Sequence, residues 1–169
     1  PDGGGAAPTL SLLTAGTAPV LVTTAAATAG VTLNTTAGNV NTLRGFAIGN
    51  TTGAAIFGSG FGTLNADNVA INAAGRTGQI LDLTNGAASA TFSNLTTTSV
   101  TGTGINLVNL TGSLTGSAGA ISGVSGTDIS IGTGTAFVHA KGGVYTHLCG
   151  TGVGAGTLSG LAEKVLGIT

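Results

Sequence analysis

Apolar residues along this chain fall in short clusters, such as Val20-Leu21-Val22, Ile80-Leu81 and Ile105-Asn106-Leu107, with Gly, Thr, Ser and Asn between them. No apolar stripe recurs at three and four residues before the last dozen positions, because Gly and Thr interrupt every window long enough for an amphipathic helix. Strands therefore dominate, and the strands repeat. Gly opens a short apolar strand at Gly30, Gly53, Gly78, Gly104 and Gly126, which are 23, 25, 26 and 22 residues apart. A second track keeps step. It runs through Arg44-Gly45-Phe46-Ala47-Ile48, Asp67-Asn68-Val69-Ala70-Ile71, Ser93-Asn94-Leu95-Thr96-Thr97 and Gly119-Ala120-Ile121.

Two tracks with one period of 22–26 residues fit coils of three short strands and three turns, each stacked on the next by parallel pairing at about 4.8 Å. The expected fold is all-β: a right-handed parallel β-helix, or β-solenoid, of about seven coils, from length divided by period. Residues 1–30 read as an Ala/Thr-rich coil or linker, 31–150 as the repeats, and 151–169 as a Gly-rich segment with a cap. Within that last segment Ser159 is placed to N-cap a short C-terminal helix with Leu161, Val165 and Leu166 on one face and Gly167 as its stop. Phe46, Val69, Leu95 and Ile121 are expected to form one inward stack, and Leu33, Ile56, Leu81 and Leu107 another. Asn68 and Asn94, each just before an inward residue, are expected to stack amide on amide at a turn. Arg44 and Asp67, one period apart, are expected one above the other as an inter-coil ion pair that sets register rather than stability.

Composition narrows the function classes. The chain has 32 Gly and 30 Thr among its 169 residues, 5% charged residues and a net charge of −1. Without Trp or Met, and with five Phe, the core must come mainly from Val, Ile, Leu and Ala. Disordered chains pair low hydrophobicity with high net charge, and a mean hydropathy of +0.51 argues against that class. No basic field exists to collect phosphates, so nucleic acid is not an expected partner. No run of about 18 apolar residues exists for membrane insertion as a helix. The first residues lack the basic and apolar regions of a signal peptide, so the chain reads as a processed or excised segment.

Chemistry is sparse. The acids are Asp2, Asp67, Asp82, Asp128 and Glu163, and no second acid lies one period from Asp82, where Ile56 and Val108 stand at the nearest repeats. A polysaccharide-cleaving β-helix needs two or three converging carboxylates. His139, His147 and Cys149 are the metal-capable side chains of the soft type, and alternation puts His147 and Cys149 on one strand face. That offers two ligands where a structural zinc site uses four, so they read as isolated residues in a closing strand, with no metal and no cofactor expected. The span Gly150-Thr151-Gly152-Val153-Gly154-Ala155-Gly156 lacks the Lys-Ser/Thr ending of a phosphate-binding loop.

The stretches Arg44 to Gly53, Phe61-Gly62-Thr63-Leu64, Leu81-Asp82-Leu83-Thr84-Asn85-Gly86 and Thr103-Gly104-Ile105-Asn106-Leu107 resemble the β-helix repeats of very large exported bacterial surface proteins, the autotransporter passengers and haemagglutinin-like adhesins. The resemblance covers roughly residues 10–135. It implies an extracellular or cell-surface structural scaffold or adhesin segment, assembling end to end into filaments, and it carries no catalytic residue. Its implied partners are further coils, from its own copies or a larger chain, and surface glycans or a host surface. Two other readings remain: a carbohydrate-active β-helix enzyme, which requires a cluster of acids, and an ice- or crystal-surface binder, which requires outward rows from Thr91, Thr96, Thr97 and Thr98.

Overall fold

All the strand pairs are parallel, which a chain that lays each coil on a copy of the last requires. The computed structural model describes residues 19–22, 28–36, 38–72, 78–132, 138–140 and 143–145. The strands are β1 (Val20–Leu21), β2 (Val31–Thr32), β3 (Val40–Arg44), β4 (Ala47–Ile48), β5 (Ile56–Asn72), β6 (Leu81–Thr97), β7 (Ile105–Gly116), β8 (Gly119–Ile121), β9 (Ile129–Ile131), β10 (Val138–Ala140) and β11 (Gly143–Tyr145). They make one 11-stranded sheet wound into a β-solenoid, with no helix among the described residues.

Three ladders run along it. The first holds Val31, Ile56, Leu81, Ile105 and Ile129 as successive partners, 25, 25, 24 and 24 residues apart. The second holds Leu43, Ala66, Ala90, Leu114 and Val138. The third holds Ile48, Ile71, Leu95, Gly119 and Gly143. These rungs amount to about four turns rather than seven. Dividing length by period counts every residue as part of a coil, whereas the first ladder spans only residues 31 to 131. The expected C-terminal helix and the segment 151–169 lie outside the described residues.

Alternation drives the packing. In β6 and β7 the inward positions Leu81, Leu83, Ala88, Ala90, Ile105, Leu107 and Leu114 are buried, while the residues between them are half-buried or exposed. Each fully buried aliphatic side chain contributes about 1.5–3 kcal/mol of hydrophobic free energy. Two aromatic residues join this core against the expectation from composition: Phe61 and Phe92 are both fully buried. Glycine makes the room. A Cβ on Gly86 would lie 2.5 Å from Phe61 Cζ, and Phe92 has Gly116 as its partner in the next coil.

The register corrects the expected stacks. Ala47 and Ala70 are partners, so Phe46 lies beside Val69, but Val69 then pairs with Phe92 and not with Leu95. Leu95 sits between Ile71 and Gly119, and Ile121 pairs with Thr97. In the other stack Ile56 and Leu81 are partners, whereas Leu33 follows the Val31–Ile56 rung by two residues and Leu107 pairs with Leu83. The cause is a pair of compensating bulges. Asn68, in the left-handed conformation at φ 51°, is an extra residue in β5, and one residue later the register jumps again, skipping Ser93 in β6.

Thr97 is fully buried at an inward position, and its Oγ1 has no hydrogen-bond partner among the described residues. A buried hydroxyl left unpaired costs about 1–3 kcal/mol, and valine has nearly the same shape without it. Thr97→Val is therefore expected to raise the unfolding free energy by about 1 kcal/mol in urea titrations. A loss of stability would mean that the hydroxyl is bonded after all.

Candidate functional site

The coils carry their chemistry on outward columns, because each outward residue has its counterpart one rung on. Beside the first ladder the column reads Thr32, Phe57, Asp82, Asn106 and Ser130. Phe57 is 38% exposed, a large apolar side chain standing among polar neighbours. Asp82 and Asn106 are half-buried, and Asn106 Nδ2 donates to Asp82 Oδ1 at 2.9 Å. Two residues along each strand, Ser59, Thr84 and Val108 form the adjacent column. The bond between Asp82 and Asn106 ties two coils together and fixes the orientation of the carboxylate.

Beside the second ladder the outward residues are small. Thr63, Ala87 and Thr111 form one column, Asn65, Ser89 and Ser113 the next, and Asp67, Thr91 and Thr115 a third. Arg44 is the partner of Asp67 at the head of that third column, and both are exposed, so their attraction acts through water. His139 is the partner of Thr115 on the backbone of β10. His147 and Cys149 lie outside the described residues.

The expected asparagine stack is not between Asn68 and Asn94. Asn94 pairs with Ala70, and its Oδ1 accepts from Thr96 Oγ1 at 2.6 Å. The amide ladder forms instead between Asn85 and Asn109, where Asn109 Nδ2 donates to Asn85 Oδ1 at 2.7 Å and both residues are left-handed, at φ 55° and 52°. Asparagine tolerates that conformation where other side chains do not. Asn41 performs a second such task. Its Oδ1 accepts from the Asn34 backbone N–H at 2.8 Å and its Nδ2 donates to the Phe61 carbonyl at 2.8 Å, fastening a corner to the next coil.

Acids do not converge among the described residues. Asp67 stands beside the second ladder, Asp82 beside the first, and Asp128 is buried at a corner just before Ile129. The threonines 91, 96, 97 and 98 do not form one row: Thr91 and Thr98 are exposed, Thr96 is half-buried and Thr97 faces the core. A groove of about 480 Å³ crosses three successive corners past Thr52, Gln79 and Thr103, and hydroxyls, one amide and glycine backbone line it, with no ionisable group.

Phe57 and Asn106 escape a motif search because neither belongs to a known signature. The period alone marks them, each directly following the inward residue of its rung. Among known proteins, the chain matches no family model, no curated protein and no solved structure.

Proposed function

We propose that this chain is a segment of an extracellular scaffold, the stem of an exported bacterial surface protein or adhesin, continued by further coils of its own copies or of a larger chain. The observation that carries the reading is the unbroken parallel ladder from Val31 through Ile56, Leu81 and Ile105 to Ile129. Each coil added to such a ladder extends it by about 4.8 Å at constant cross-section, which is how repetition makes a rod. Outward positions filled by Thr, Ser, Ala and Asn support the same reading, since they keep the rod wetted with few charges.

Antibodies raised against the folded chain are expected to stain intact cells of its source, and brief proteolysis of those cells is expected to release its peptides. Staining only after permeabilisation would overturn the proposal.

A further inference from the structure

The geometry points to a glycan-binding subsite on the outward column of Phe57, Asp82 and Asn106. A pyranose offers an apolar face of C–H groups and a rim of hydroxyls, so its receptor needs an exposed aromatic ring beside oriented donors and acceptors. This column supplies them on consecutive rungs. Phe57, 38% exposed, is the apolar platform. One rung on, the Asp82 carboxylate accepts hydrogen bonds only, and its orientation is held by the bond from Asn106 Nδ2 at 2.9 Å. The amide of Asn106 adds donor and acceptor capacity one rung further. Rungs about 4.8 Å apart put these groups at a spacing on the order of one sugar ring. Ser59 and Thr84, in the adjacent column, flank the ring and the carboxylate with hydroxyls.

A protein partner fits this column less well. A stable protein interface buries about 800 Å² per partner around an apolar centre, whereas Phe57 is the one large apolar side chain here and its flanks are Thr32, Ser59 and Thr84. A ligand that covers a few side chains and exchanges hydroxyls with them suits the column. The inference goes beyond the scaffold reading and stands without it, since the column belongs to the coil whatever the rod does in the cell.

The test titrates the 169-residue chain with cellohexaose, xylohexaose and chitohexaose, and with a lysine-rich peptide as the cationic alternative, by calorimetry and by backbone amide shifts. Saturable millimolar binding of one of the oligosaccharides is expected, with the largest shifts at residues 57, 82 and 106. Phe57→Ala and Asp82→Asn are each expected to weaken it about tenfold, while Thr91→Ala leaves it unchanged. Amide shifts in the unaltered chain keep the test decisive if Phe57→Ala fails to fold. No saturable binding of any oligosaccharide, shifts centred elsewhere, affinity indifferent to both variants, or binding of the peptide alone would each overturn the subsite. None of these outcomes would bear on where the protein resides, so the scaffold proposal is judged separately.

Discussion

Leu83→Asp is expected to abolish the folded state of the central coils at neutral pH. Leu83 is fully buried, with Gly58 and Leu107 as its partners in the coils on either side. Truncation to alanine would cost about 2–5 kcal/mol through lost burial and the cavity left behind. An aspartate there adds a charge with no partner, so the total exceeds about 5 kcal/mol, comparable with the whole stability of an ordinary domain. Nearest-neighbour coupling spreads the damage, since β6 pairs with both β5 and β7 along most of its length. The variant carries its own control. A carboxyl forced into an apolar core titrates above its unfolded value of about 3.9, so its neutral form is favoured in the folded state. Stability should therefore return in part as pH falls toward about 4 and be lost as pH rises through the folded value. Circular dichroism melts at both pH values would read this, and an unmoved transition at pH 7 would show that Leu83 does not face the core.

The period was legible because each coil repeats the same physical requirement. An inward aliphatic residue must lie on another, so Ile56 and Leu81, or Leu83 and Leu107, recur at 24 or 25 residues with little freedom to drift. Corners obey a looser rule. Any residue that reaches a left-handed conformation can turn the chain, and Asn68, Gly60 and Asn85 all do so. An extra corner residue leaves the inward set of both neighbouring segments intact. The bulges at Asn68 and Ser93 thus shift the local register with no trace in the hydrophobic pattern, which is why Val69 was aligned with Leu95 when it lies on Phe92. The number of coils was unreadable for a related reason: Gly- and Thr-rich stretches mimic the composition of a coil whether or not they form one.

The outward column was harder to see than the core. Hydrophobic burial restricts what can stand at an inward position, but outward positions accept Thr, Phe, Asp, Asn and Ser in turn, as residues 32, 57, 82, 106 and 130 do. No periodic identity announces such a column. It emerges only when the register is known residue by residue and the side chains following each inward position are read in order along the axis.

Gly62→Ala is expected to destabilise the protein far more than Gly60→Ala, although the two glycines lie two residues apart and share nearly the same backbone. Their φ angles are +68° and +66°, in the left-handed region, so a methyl group costs each of them about 1 kcal/mol of conformational strain. Their surroundings differ. A Cβ on Gly60 would meet nothing within 4 Å, whereas one on Gly62 would run into the carbonyl oxygen of Asn39 in the preceding coil. That oxygen cannot move aside, because it accepts the Thr63 backbone N–H at 2.9 Å and so belongs to the pairing between the coils. Relief would require the coils to part locally, loosening the ladder from Val40 to Arg44 against Thr63 to Asp67. The difference between the two variants is therefore expected to be about 2 kcal/mol or more, read as a lower urea midpoint for Gly62→Ala at similar slope. Equal losses would mean that the corner yields by a few tenths of an ångström at no cost, and that close backbone approach does not set the spacing of the coils there.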